Sequence, residues 1–419
     1  MRNTLQKILK SLASLVLKKY KPEIVGITGS VGKTGAKEAI FAVLSSKYRV
    51  RKSKGNYNNE IGVPLTILGR KTAGKNIFAW LGIFLHALNL LLFKDEKYPE
   101  ILVLELAADK PGDMDYFYGF VKPKIAVVTA VAHAHTEFFK DIEGVFAEKK
   151  RIISNLKKDA YAVLSTDDVN VARMREHTQA KIITFGFKRM ADIQCVDFGL
   201  DMEKDIISGV SFKLATDENE SPAHLKGVVG KQPIYAALTA AAVGVIYKIN
   251  LIEISESLKK IDFPAGRMRL ISGIKHTMLI DDSYNASPRS VLAALEAMQK
   301  ISVGKNNQKY AVLGDMAELG TYTEKGHQEV GEAIVANNID FLITVGEKME
   351  EAITAAVSAG MSEDKIFKFA KPEKAGLFIQ GRIKKGDLVL IKGSRIMKME
   401  KITEELMDEP LKAEKLLVR

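Results

Sequence analysis

A single cysteine, Cys195, in 419 residues leaves no partner for an internal disulfide. Nothing therefore asks for an oxidising compartment, and a reduced cytoplasm is the plain expectation. The thiol itself reads as a small packed hydrophobe. Long apolar runs are scarce too. The segment IFAWLGIFLHALNLLLF, Ile77 to Phe93, falls short of the about 20 residues that span a bilayer and contains His86 and Asn89, so a buried or interfacial helix is expected there. The N-terminal stretch TLQKILKSLASLVLKKYK lacks a small-residue cleavage site, which makes it a poor signal peptide. Repeats and low-complexity tracts are missing. So are RRM, zinc-finger and homeodomain signatures, and the lysines are scattered over many segments, so no nucleic acid is expected as a partner.

What is present is the composition of a soluble globular α/β protein, 47% hydrophobic and 27% charged. A chain of this length exceeds one ordinary core, and two or three domains are expected. The net charge of +11 suits a polyanionic partner, whether nucleic acid, anionic lipid or a small substrate, and does not choose among them. In the N-terminal stretch, Leu5, Ile8, Leu9, Leu12, Leu15 and Val16 recur at helical spacing among lysines, the pattern of a basic amphipathic surface helix. This helix and the Ile77 to Phe93 segment are the two candidates for a peripheral contact with an anionic membrane. Docking onto the protein itself is the competing reading.

From Glu23 the chain reads strand, Gly-rich turn, helix: EIVGI, GSVGKTG, AKEAIFAVLSSKY. ILVLEL, KIAVVTAV and AYAVLSTDD follow as continuous apolar strands, which predicts a parallel sheet covered on both faces, with its chemistry at the carboxyl ends of the strands. Between about residues 182 and 226 the pattern alternates, predicting short antiparallel strands. After a break near Phe263-Pro264-Ala265-Gly266, a second strand and helix series begins with TMLIDD and ends with DLVLIKG. The expected division is residues 1–20 as the basic amphipathic segment, 21–262 as a central domain with the apolar insert at about 77–93, and 263–419 as a C-terminal domain.

GITGSVGKTGAKE lies at the strand–helix junction that a phosphate loop needs. Gly29 and Gly32 let the backbone N–H groups of the loop, with Ser30 and Val31 between them, turn toward an anion at the positive end of the following helix. Lys33 is placed to reach β- and γ-phosphates and the Thr34 hydroxyl to take Mg²⁺. The pattern GxxxxGK[ST] is not met strictly, because position 27 is Ile. The fold class expected is α/β: a central P-loop ATPase domain with a mostly parallel sheet and a small antiparallel part, then a C-terminal Rossmann-like α/β domain.

The loop GSVGKT, followed by KGNYNNEIGVPLTIL, LELAADKPGDM, VTAVAHAHTEFF and EGVFAEKKRII, resembles the Mur ligase family. FPAGRMRLI, MLIDDSYNASPRSVLAALEAM, YAVLGDMAELGTYTEKGHQEVG and GDLVLIKGSRIMKMEKI extend the resemblance over most of residues 23 to 405. Within the family it is similar to the branch that adds D-alanyl-D-alanine to a UDP-N-acetylmuramoyl-tripeptide. The resemblance implies an ATP-dependent amide ligase working through an acyl phosphate, with Lys33, Lys149 and His135 catalytic. It implies two Mg²⁺ sites held by Thr34, Glu105, His135 and a carbamylated Lys149, with Lys150 the rival of Lys149 and His133 the rival of His135. Gly29, Ser30, Val31, Gly32, Lys33, Thr34, Asn59, Arg267 and Asp282 would hold the nucleotide. Asn285, Ser287, Ser394 and Arg395 would shape the substrate side. UDP-MurNAc-peptide and D-Ala-D-Ala are the implied substrates of a cytoplasmic monomer.

Departures from the family pattern accompany these matches. Only about 20 residues precede the first strand where the family has a uridine-nucleotide domain. Gln232 and Pro233 stand where His and Asn are common, Ile396 stands where Gly is usual, and residues 77–93 have no counterpart. A different amine, or a lipid-linked acceptor, is the first alternative. A P-loop ATP-binding protein without ligase activity is the second, and DDSYNASP and GDMAELG speak against it.

Overall fold

The computed structural model describes residues 2–133, 136–203 and 206–418. Fifteen strands are formed among them. They are β1 (Glu23–Thr28), β2 (Val50–Lys52), β3 (Ile101–Glu105), β4 (Ile125–Val128), β5 (Tyr161–Ser165), β6 (Lys181–Gly186), β7 (Ile193–Glu203), β8 (Ile206–Ala215), β9 (Glu220–Lys226), β10 (Arg269–Gly273), β11 (Thr277–Asp282), β12 (Lys309–Gly314), β13 (Phe341–Val345), β14 (Ile366–Phe369) and β15 (Leu388–Lys392). The first sheet runs β2-β3-β1-β4-β5-β6-β7-β8-β9, parallel from β2 to β7 and antiparallel from β7 to β9. The second runs β10-β11-β15-β12-β13-β14, parallel except for the β10–β11 pair. The expected α/β class, with its antiparallel part and second sheet, is what forms.

Why the first sheet is parallel is visible in β3, where all five residues are buried: both faces are covered, so the strand has no polar alternation. Along β1, Ile24 enters one core while Val25 and Ile27 enter the other. On the second face, α2 (Lys33–Leu44) crosses helix Lys231–Ile246 through small residues, Ala36 and Ala39 against a run that includes Ala236, Ala237 and Ala240. β1 sits between β3 and β4, so the chain leaves it on one side and returns on the other. The carboxyl end of β1 is therefore a topological switch point, where an open α/β sheet leaves a crevice. Cys195 is buried in this core, and burial pushes its thiol up to about 12, consistent with a packed hydrophobe.

The N-terminal helix docks in part onto the protein itself. In α1 (Arg2–Tyr20), Leu9, Ala13, Val16 and Leu17 are buried, and the helix packs on α3 (Gly62–Leu68) and α4 (Ile77–Leu92). Part of its apolar face is thus used inside the protein while Ile8 and Leu15 stay exposed, a division that a hydrophobic period alone does not reveal. Leu9→Ala is expected to cost about 2–5 kcal/mol of stability, as for other buried leucines. Urea unfolding checks this, and a change under about 0.5 kcal/mol, the range of surface substitutions, would show α1 to be peripheral. No helix among the described residues is long and apolar enough to cross a membrane.

The two sheets meet around residues 227–229 and 268–270. Val229 N donates to Met268 O at 3.0 Å, Leu270 N donates to Gly227 O at 2.9 Å, and Lys231 pairs with Glu296 at 2.8 Å. Across the gap, Arg289 pairs with the buried Asp168, and the His133 ring stacks on Tyr322 with centroids 4.0 Å apart.

Candidate active site

β1 ends in the loop Gly29-Ser30-Val31-Gly32, which must turn directly into α2. Gly29 has φ +147 and Gly32 φ +89, and a Cβ on Gly29 would lie 2.0 Å from Thr129 Oγ1, so both conformation and space exclude a side chain there. Thr129, just after β4, donates to the Val31 carbonyl at 2.6 Å, while the Ser30 amide donates to the Ala130 carbonyl at 2.8 Å. The end of β4 therefore clamps the loop, and the first turn of α2, whose amides have no intrahelical acceptor, opens onto a cleft of about 320 Å³. The Lys33 ammonium folds back to the Gly29 carbonyl at 2.6 Å. Helix dipole, free amides and ammonium together make an anion cradle.

Beside this cradle stands a site suited to a hard cation. Glu105 closes β3 and is 2% exposed. Its Oε1 accepts from Thr34 Oγ1 at 3.4 Å and from Asn58 Nδ2 at 3.0 Å. Its Oε2 is buried with no hydrogen-bond donor among the described residues and lies 3.7 Å from Lys37 Nζ. A buried carboxylate oxygen left open next to a hydroxyl is the hard donor set that Mg²⁺ prefers. Lys37, fully buried one helical turn after Lys33, also donates to the Gly55 carbonyl at 2.9 Å and lies 3.4 Å from Glu38. It thereby ties the loop carrying Asn56 and Asn58 to the helix that carries the cradle.

The opposite wall comes from the second sheet. Arg267 reaches across to donate to Thr34 Oγ1 at 3.2 Å, with its guanidinium 4.2 Å from the Tyr284 ring and its buried Nε without an acceptor among the described residues. The Thr34 hydroxyl thus donates to one sheet's carboxylate and accepts from the other unit's guanidinium. Asp282, at the end of β11, pairs with Lys392 at the end of β15 and accepts from Met268 N at 3.1 Å. Lys392 also donates to the Asn285 carbonyl at 3.0 Å. Both oxygens of Asp282 are therefore occupied in shaping the wall.

Of the residues picked out from sequence, Ser30, Val31, Gly32, Lys33, Thr34, Glu105, Arg267, Asp282, Asn285 and Ser287 line the one cleft, and Gly29 sits behind it. Gln232 and Pro233, the departures on the base side, line it as well. Asn59 does not. Its Oδ1 accepts from Gly62 N at 2.9 Å and Ile61 N at 3.2 Å, which settles it at the start of α3, while Asn58 takes the place at Glu105. Ser394 is buried behind the wall, where its hydroxyl accepts from Ala317 N at 2.8 Å, and Arg395 turns to Glu400 at 2.8 Å, so neither lines the cleft. His135 lies outside the described residues.

Lys149, on helix Ile142–Ser154, is 1% exposed and donates to the Ala108 carbonyl at 3.1 Å. Burial first, and the Lys33 charge second, lower its ammonium to about 7. Its neighbour Glu148 accepts from Gly112 N at 3.1 Å and Met114 N at 2.7 Å, fixing the loop after β3 against this helix. Lys150 stays half-buried, 5.4 Å from the Phe146 ring. Lys37, Asn58, Tyr284 and Lys392 were not singled out as site residues from sequence. The turn KGNYNNE contained the signal for Asn58, whereas a lysine in an amphipathic helix carries none for burial.

Two family descriptions match this chain: the Mur ligase middle domain over residues 27–80 and 85–244, and the Mur ligase glutamate ligase domain over residues 266–395. The UDP-N-acetylmuramoyl-tripeptide–D-alanyl-D-alanine ligase of Bacillus subtilis is 30% identical over 403 residues, 96% of this chain and 80% of that one. MurF from Acinetobacter baumannii is similar in structure with a TM-score of 0.79 at 25% identity, covering 96% of this chain and 80% of that one. The MurF ligase of Thermotoga maritima in complex with ADP gives a TM-score of 0.78 at 27% identity, covering 98% of this chain and 84% of that one. A phosphate cradle on one sheet, an arginine reaching it from the other, and family matches over both lead to one conclusion: the chain belongs to the Mur ligase family.

Proposed function

We propose that this chain is an ATP-dependent ligase that joins D-alanyl-D-alanine to UDP-N-acetylmuramoyl-tripeptide in peptidoglycan precursor synthesis. The observation that carries the reading is the Thr34 hydroxyl, held between Glu105 and Arg267 directly beside Lys33. The names of its relatives support the choice of substrates. We divide the chain into residues 1–20, a central unit 21–262 and a C-terminal unit 263–419, and place it in the cytoplasm as a monomer.

In the first step an acceptor carboxylate oxygen attacks the γ-phosphorus of ATP and ADP leaves. In the second the amine nitrogen attacks the acyl carbon, the phosphate departs, and the nitrogen gives up a proton. Lys33 and the α2 amides bind the phosphoryl oxygens over which charge spreads. Arg267 brings a second cation from the other wall, and closure of the two units supplies the alignment that the amine attack needs. Thr34 and Glu105 would hold one Mg²⁺ ion, and His135 with a carbamylated Lys149 would hold a second; when bound, the ions would neutralise charge at the phosphates.

Phosphate release from ATP and Mg²⁺ by the full chain tests the reading. Release is expected to require both UDP-MurNAc-tripeptide and D-Ala-D-Ala. Release with another amine, or with a lipid-linked acceptor alone, would move the chain to a sibling ligase. ATP hydrolysis indifferent to both substrates would end the ligase assignment.

A further inference from the structure

α4 carries its most apolar face outward. Ile77, Phe78, Leu81, Leu85, Leu88 and Leu92 are all exposed, Phe78 to 85% and Ile77 to 77%, and their spacing puts them on one stripe about 24 Å long. The opposite side, Ile83, Ala87 and Leu90, is buried in the body of the protein. The helix is fixed in this orientation. Lys19 Nζ donates to the carbonyls of Leu90, Leu91 and Phe93 at 2.8, 2.9 and 2.8 Å, Tyr20 Oη donates to Leu90 O at 3.0 Å, and Asn76 caps the start by accepting from Ala79 N at 3.0 Å. α1 therefore acts as the bracket for α4. A rigid, continuous apolar stripe on a soluble protein marks a contact with something apolar.

The charges around it say what that is. Residues 77–93 contain no charged side chain, but Arg70, Lys71 and Lys75 are exposed just before the helix and Lys94 and Lys97 just after it, against Asp95 and Glu96. A collar of five cations and two acids around an apolar stripe complements an anionic headgroup layer over acyl chains. A two-fold pairing of two copies through this stripe would bring like-charged collars together on chains that each carry +11. Trp80, the single tryptophan, lies near the cationic end, with its indole N–H on the Gly74 carbonyl at 3.1 Å, an amphipathic ring of the kind that settles at such boundaries. We propose that α4, and not the amphipathic α1, is a monolayer-insertion surface that docks this protein on anionic membranes. The proposal is independent of which substrates the ligase uses, because vesicle binding is read without turnover.

The test uses the full chain and flotation with phosphatidylglycerol/phosphatidylethanolamine vesicles or pure phosphatidylcholine vesicles, at low and high salt. Wild type is expected to float with the anionic vesicles, less so at high salt, and lipids brominated on the acyl chain are expected to quench Trp80. Phe78→Ser with Leu81→Ser, both exposed and outside the cleft, should weaken partitioning by at least about tenfold and leave ATP-dependent phosphate release unchanged. Lys71→Gln with Lys75→Gln should weaken the anionic preference by about 25-fold, about fivefold per lysine. Absence of flotation at low salt overturns the proposal. So does flotation without Trp80 quenching and indifferent to Phe78→Ser/Leu81→Ser, which would be charge attraction alone. A wild-type dimer in sedimentation velocity that the same pair of substitutions dissolves would overturn it in favour of a second copy as the occupant.

Discussion

Lys33→Ala is expected to lower ATP turnover by about 10³-fold or more while leaving the melting transition nearly where it is. The two effects separate because of what Lys33 touches. Its ammonium is half-buried at the cleft wall and makes one hydrogen bond, to Gly29 O at 2.6 Å, so its loss costs the fold about 0.5–1.5 kcal/mol at most. In the proposed turnover the same ammonium would meet phosphoryl oxygens as negative charge spreads over them, in a site partly closed to water, where one fixed charge is worth several kcal/mol. Lys33→Arg should recover little, since a planar fork does not fit where a point charge tracks a moving phosphoryl group. Phosphate release measured beside a thermal melt decides it. Near-wild-type release by a folded Lys33→Ala protein would remove the loop from the mechanism.

That loop was legible because its parts are contiguous. Strand, glycine turn and helix follow one another in a dozen residues, and each residue type has its own physical reason to be there. Glu105 came from the resemblance, and the parallel pairing of β3 with β1 brings it to the same edge as the loop. Other parts could not be read locally. Whether Asn58 or Asn59 faces Glu105 depends on one peptide's rotation in a turn, and turns have no period to read. Lys37 shares α2 with Lys33 and would pass as a solvated lysine until Gly55 and Glu105 arrive from elsewhere in the chain to enclose it. α1 and α4 show the same limit on a larger scale. Both helices carry apolar stripes, and only the packing of Leu9, Val16 and Leu17 inward and of Leu81, Leu85 and Leu88 outward tells them apart. Ser394 and Arg395 came from the resemblance alone; the partner of Ser394, Ala317 N, arrives from 77 residues earlier in the chain, while Glu400 is five residues on from Arg395.

Lys149→Ala is expected to be nearly inactive, with formate or acetate returning part of the activity, on the proposal that the residue acts as its carbamate. A lysine 1% exposed has to shed its charge or find a partner, and Lys149 finds a carbonyl, Ala108 O, and no carboxylate within ion-pair distance among the described residues. With its ammonium lowered to about 7 by burial and by Lys33, about half of it is free amine at neutral pH. That amine can attack carbon dioxide: an N–C bond forms, a proton goes to water, and a neutral nitrogen becomes part of an anion attracted to Lys33. The pH dependence has a fixed sign. Below about 7 the proton occupies the nitrogen, so activity at limiting bicarbonate should fall as pH drops through about 7 and return with added bicarbonate. For the uncarbamylated chain, stability should rise with pH from about 7 toward the unfolded-state value of about 10.4, since over that range the unfolded lysine holds a proton that the native one has released. Lys33→Ala removes a neighbouring positive charge, which raises Lys149, so that variant should need more bicarbonate to reach the same occupancy, readable as a mass increment in native mass spectrometry. Lys150→Ala, half-buried over Phe146, should behave as wild type. Loss of activity and rescue by acetate in Lys150→Ala, with Lys149→Ala unaffected, would move the carbamate one residue along the helix.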